Sequence, residues 1–127
     1  MSKPDVPRPT EAELAILRVL WDQGPCTVRR VHTVLTEGRS LAYTTTLKML
    51  QIMTAKGLTT REAQGQQHVY RARQAEHVTQ RRLVRDLLER AFGGSTSKLV
   101  MQALASKRVS PAELREIRRL LQEHKGE

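Results

Sequence analysis

Thr44, Thr45, Lys48 and Gln51 recur at helical spacing within a segment that contains no acidic residue. Hydroxyls, an ammonium and a carboxamide on one stripe are the groups that read base edges and grip phosphates in a nucleic-acid groove. A helix face that is merely solvated mixes Glu with Lys, because i,i+4 pairs support it. Around that stripe, residues 29–73 hold eight Lys and Arg against only Glu37 and Glu62, so positive charge concentrates there. Arg29, Arg30 and Arg39 are candidates for phosphate contacts, which position a protein without reading sequence. Arg61 and His68 are candidates for contacts from a flanking hairpin to phosphate or the minor groove. The whole chain carries 22 Lys and Arg against 13 Asp and Glu, a net charge of +9. That balance points to a polyanionic partner, with nucleic acid ahead of an anionic membrane surface.

Other chemistry finds little to stand on. His32, His68, His77 and His124 are scattered, and no pair has the spacing that places two imidazoles on one metal. Cys26 and His32 are not spaced as a ligand pair, and no metal or cofactor is expected. A single cysteine cannot form an internal disulfide, which agrees with a reducing compartment. There is no Gly-rich phosphate loop, no G-x-S-x-G elbow and no carboxylate pair within an apolar run, so no enzymatic activity is expected. No stretch approaches the roughly 18 to 20 apolar residues of a membrane span, and residues 1–9 lack the apolar core of a signal peptide. The expectation is a cytoplasmic protein without membrane insertion.

The elements that must hold these groups are legible from periodicity. Residues 1–9, with Pro4, Pro7 and Pro9, are expected to form a flexible arm. Thr10-Glu11-Ala12-Glu13 is a capping box, and Leu14, Ile16, Leu17, Leu20 and Trp21 then recur as a buried stripe until Gly24-Pro25. Thr27 caps a second helix with Val28, Val31, Val34 and Leu35 on its inner face, ending near Gly38. The third pattern runs from Tyr43 to Lys56, with Thr46, Met49, Leu50 and Met53 inward and Gly57 as its C-cap. Leu58 to Glu62 and His68 to Ala72 read as a β-hairpin around Gly65. Three helices followed by a hairpin is the order of a winged helix-turn-helix. The predicted fold is therefore mainly α, with this module over 10–75 and a helical dimerisation region over 76–127. Leu87, Leu88 and Phe92, then Leu99 and Leu104, then Ile117 and Leu121 mark three amphipathic helices, the last opened by a second capping box at Ser110-Pro111-Ala112-Glu113. About fifty residues without a disulfide or metal make too small a core to stand alone, which favours a second copy as partner.

The motif TEAELAILRVLWDQGPCTVRRVHTVL at 10–35, with AYTTTLKMLQIMTAKGL at 42–58 and AFGGS at 91–95, resembles the BlaI/MecI/CopY family of penicillinase-repressor-type transcriptional regulators. The resemblance extends from about residue 10 to residue 122. It implies a homodimeric repressor on a palindromic double-stranded DNA operator, with the helix opening at Tyr43, Thr44, Thr45 and extending through Lys48 in the major groove. In antibiotic-responsive members of such a family, a membrane-bound sensor protease cuts an Asn-Phe bond. The matching pair here is Gln102-Ala103, a departure from that site. Copper-responsive members carry clustered C-terminal cysteines, which this sequence lacks. A competing reading is a winged-helix RNA-binding or ribosome-associated protein. It is disfavoured because only Tyr43 and Tyr70 could supply stacking aromatics in the basic region.

Overall fold

A computed structural model describes residues 6–124. Six helices and one small sheet follow in the order α1 (Glu11–Gln23), β1 (Cys26–Thr27), α2 (Val28–Leu35), α3 (Tyr43–Lys56), β2 (Thr59–Gln64), β3 (Gln67–Ala72), α4 (Glu76–Phe92), α5 (Thr96–Ser106) and α6 (Pro111–Glu123). Two compact units divide the chain, one through Leu83 and the other from Val84, so the division falls within the continuous helix α4. No described helix is long and apolar enough to cross a membrane.

The capping box of α1 is complete. Glu13 N–H donates to Thr10 Oγ1 at 3.1 Å, and Thr10 N–H donates back to Glu13 Oε1 at 2.9 Å. Glu13 is nonetheless buried, and its second oxygen accepts from Lys56 Nζ at 2.7 Å, tying the first turn of α1 to the last turn of α3. Gly57 then ends α3 at φ 89 and ψ 14, a left-handed cap that a Cβ would oppose. The core lies where α1, α2 and α3 meet the sheet: Ile16, Val31, Leu50 and Met53 are fully buried and Tyr70 almost so. Each contributes about 1.5 to 3 kcal/mol by leaving water. Trp21 sits at the edge of this core rather than inside it, and its indole N–H donates to the Gln74 carbonyl at 2.9 Å.

Four features depart from expectation. The described part of the N-terminal arm is docked: Pro9 is buried and Val6 packs against the core, because both offer apolar surface beside Gly57 and Leu58. The hairpin is tighter, with Gln64 pairing Gln67 across Gly65-Gln66; Gly65, at φ 62, takes the first loop position of a type II′ turn. A third strand, β1, pairs Cys26 with Tyr70 and Thr27 with Val69, which makes β3 central in the order β1-β3-β2. At α6 only half of the second capping box forms, Ser110 Oγ accepting from Glu113 N–H.

The second unit has a different character. None of the described residues of α4, α5 or α6 is buried, although their apolar stripes stand where periodicity put them. Leu87, Leu104 and Leu121 are broadly exposed, and Leu88, Phe92, Leu99 and Ile117 are half-buried.

Candidate nucleic-acid interface

Helix α3 owes its orientation to its inner stripe. Thr46, Leu50 and Met53 are buried against α1 and α2, which turns Thr44, Thr45, Lys48 and Gln51 outward to solvent. The helix contains no acidic residue. Its N-cap is Ala42, whose methyl accepts nothing, so no side chain caps the first turn. The Thr45 and Thr46 amides donate to the Ala42 carbonyl, which leaves those of Tyr43 and Thr44, at the positive end of the helix dipole, for an anionic oxygen.

Tyr43 occupies the start of α3 and is held from two sides. The guanidinium carbon of Arg29 lies 5.5 Å from the centre of its ring. His32 meets the same ring edge-on, 5.4 Å between centroids at 79°. Nδ1 of His32 lies 3.0 Å from the hydroxyl of the buried Thr46, so one imidazole links α2 to the first and second turns of α3. Cation–π and edge-to-face contacts of this kind are each worth about 0.5 to 1.5 kcal/mol, enough to order an exposed ring. Tyr43 is therefore a surface aromatic, 39% exposed, and not a buried one.

A cleft joins these groups to the wing. Arg29, Tyr43, Leu47 and Gln51 form one side and Arg61, Gln67 and His68 the other of an open cleft of about 310 Å³. The opposing sides come from α2, α3 and the β2–β3 hairpin, with no carboxylate in the lining. A groove of this composition has hydrogen-bond donors and positive charge to offer an anionic backbone.

The structure brings Arg29, Tyr43, Arg61 and His68 together and leaves Thr44, Thr45 and Lys48 on the adjoining exposed face. It does not bring Arg30 or Arg39 to the same place. Arg30 Nη2 donates to Gln23 at the end of α1 at 2.8 Å, and Arg39 lines a separate cleft with Glu11, Trp21 and Glu76. Two other cations of the basic region are also engaged, Lys56 with Glu13 and Arg71 with Glu62 at 3.5 Å. Tyr70 is buried, which leaves Tyr43 as the aromatic of this region that could stack on a base.

Sequence reasoning passed over His32 and Leu47. Leu47 and Gln51 follow Tyr43 at four-residue steps, and that spacing was the available signal for the side of α3 that faces the wing. Nothing local marks His32, because its role depends on a partner eleven residues on in a different helix. Cys26 is buried, and burial pushes its thiol above the ordinary range, only partly opposed by the charge of Arg30. Its Sγ contacts the Gly24 carbonyl at 3.2 Å, a packing role at the start of β1.

The exposed pair Gln102 and Ala103 lies within α5. The Ala103 carbonyl accepts from the Ser106 hydroxyl at 3.0 Å in the last turn of that helix.

Comparison with known proteins gives two findings. A family model described as penicillinase repressor matches residues 9–123. A penicillinase repressor of Bacillus licheniformis is 24% identical over 121 residues, covering 95% of this chain and 94% of that protein.

Proposed function

The chain belongs to the penicillinase repressor family, whose members are DNA-binding transcription regulators and not enzymes, and from that premise we propose that it represses as a homodimer on a palindromic operator. The observation that carries the DNA reading is the acid-free outer face of α3 beside the cleft of Arg29, Arg61 and His68. On this reading Thr44, Thr45 and Lys48 read base edges in the major groove, Tyr43 and Arg29 fix the start of the helix on the backbone, and Arg61 and His68 follow the groove from the wing. Arg30 and Arg39 then add long-range attraction more than contact. Cytoplasmic localisation follows from a chromosomal target.

The dimer reading rests on the second unit, in which three helices leave every described residue unburied while exposing Leu87, Leu104, Leu120 and Leu121. Apolar stripes of this extent on so few residues are covered by a partner in stable proteins. Two linked reading heads gain affinity by effective concentration, and a two-fold axis demands inverted half-sites. Any event that separates the heads would release the operator. A membrane-bound sensor protease could do so by cutting α5, though Gln102-Ala103 offers it no bulky side chain.

The test combines sedimentation with gel shift on the DNA upstream of the protein's own gene and on an RNA of equal length. The full chain should sediment as a dimer and prefer the DNA. A double substitution, Leu87→Glu with Leu121→Glu, should sediment as a monomer and bind a full operator hardly better than a half-site. A species of 14.5 kDa at micromolar concentration for the unmodified chain would refute the dimer.

A further inference from the structure

The first unit contains an apolar cavity of about 90 Å³ that shares no lining residue with the α3–wing cleft. Its walls are Val6 and Pro9, Leu17 of α1, Leu58, and Val78 and Leu83 of α4. Three further lining side chains carry donor groups: Gln74, Thr79 and Arg82. Arg82 makes no ion pair or hydrogen bond with any described residue, and no carboxylate lines the cavity.

We propose that this cavity binds a small branched monocarboxylate and that its occupancy changes the affinity for DNA; the second half rests on the DNA-binding reading above. The apolar walls take a hydrocarbon body, and the one cation is complementary to one anionic head. A carboxylate is an acceptor throughout, so the guanidinium, the Gln74 amide and the Thr79 hydroxyl can all donate to it. An ammonium of the same shape would meet Arg82 with like charge, and a neutral amide forgoes the charge-assisted bond. The volume sets the size. It is smaller than the roughly 150 Å³ void that accepts benzene, which restricts the body to a short branched chain and excludes long acyl chains.

The location gives the site its consequence. Leu17 and Leu58 belong to the core that seats α3, and Gly57, at the left-handed end of α3, also lines the cavity. The facing wall is the first two turns of α4, a helix that continues to Phe92 among the apolar residues assigned to dimerisation. An occupant bears on both, so it favours whichever spacing of these elements fits it. The shift in DNA affinity is limited to its preference between those arrangements.

The probe is 3-methylbutanoate, titrated into the full-length ¹⁵N-labelled chain. Saturable shifts at Gly57, Leu58, Val78 and Thr79 are expected, with 3-methylbutanamide and 3-methylbutylamine binding about tenfold more weakly or worse. Arg82→Gln should erase the preference for acid over amide. Val78→Phe, at a partly exposed position, should fill the cavity and abolish the shifts from both, with an unchanged far-UV circular dichroism spectrum. Absence of saturable shifts, or an undiminished acid preference in Arg82→Gln, would overturn the site. Saturating acid should change operator affinity by about threefold or more in gel shift, an effect absent in Val78→Phe. An unchanged affinity, in a protein that binds both acid and operator, overturns the regulatory half alone. Failure of the unliganded chain to bind its upstream DNA would instead overturn the DNA reading and leave the magnetic-resonance result standing.

Discussion

Replacing Glu13 by Gln tests how the helix-turn-helix is held together. The carboxylate is buried, accepts from Thr10 N–H at 2.9 Å, and accepts from Lys56 Nζ at 2.7 Å. Gln preserves the shape and the acceptor for Thr10, so the loss is confined to the charged contact with Lys56. Hydrogen bonds to charged groups contribute about 1.5 to 3 kcal/mol, and the ammonium of Lys56, one-third exposed, recovers part of that from water. Glu13→Gln should therefore lower stability by about 1 to 2 kcal/mol near neutral pH. Glu13→Ala also forfeits the cap, adding about 1 kcal/mol. The pH dependence has a fixed sign. Burial pushes the Glu13 carboxyl up, but the hydrogen bonds from Lys56 and Thr10 and the charge of Lys56 outweigh it and hold the group below its ordinary 4.5. A depressed carboxyl stabilises fully above that ordinary value, and the contribution disappears as pH falls from 4.5 through the folded-state value. Urea unfolding followed by Trp21 fluorescence at about pH 7, 5 and 3 measures it. The difference between wild type and Glu13→Gln should be largest at the two higher values and shrink toward pH 3. A difference that stays constant across this range, or is below about 0.3 kcal/mol at neutrality, would refute the reasoning.

Four other expectations follow. Thr45→Ala and Lys48→Ala should each cost about 1 to 3 kcal/mol at the cognate operator while leaving non-specific binding nearly intact, whereas Arg29→Ala should weaken all sequences alike and reduce the salt slope by about one; competition gel shifts at several salt concentrations separate the two patterns. Arg30→Ala and Arg39→Ala should change operator affinity less than Arg29→Ala, because their side chains turn to Gln23 and to the cleft with Glu76. Cys26 should resist iodoacetamide at neutral pH until urea unfolds the first unit, since burial both shields the thiol and disfavours its thiolate, and mass spectrometry reports the label. Induced-cell extracts after β-lactam exposure should leave the Gln102-Ala103 bond intact, read by intact mass, because neither side chain fills a protease pocket.

What could be read in the sequence was what local physics decides. The Thr10 box, the Thr27 cap, the Gly57 terminus and the inward stripe of α3 are each set by neighbours within four residues, and they stand as the sequence implied. The features that escaped depend on distant partners. Cys26-Thr27 follows a Gly-Pro turn and has no strand signal of its own; only Val69 and Tyr70 make it a strand. The same holds for cations. Composition marks Lys56 and Arg30 as members of a basic region, yet a buried carboxylate claims one and the end of α1 the other. The face of α3 was legible because an absence of acid is a local property, whereas the clamp of Arg29 and His32 on Tyr43 required α2 and α3 to be placed first.

The short strand β1 bears on how a newly made chain becomes competent. Thr27 is both the cap of α2 and the partner of Val69, and Cys26 pairs with the tyrosine that completes the core. Helices α1 to α3 emerge from the ribosome first, but the strand that aligns the beginning of α2 and the ring that fills the centre arrive only with β3. Contacts so distant in sequence form late, because the intervening chain must first close its loop. A nascent chain lacking its wing therefore lacks both the strand that aligns the start of α2 and the ring that fills the centre of the core, so the topology of the sheet ties completion of the first unit to synthesis of β3.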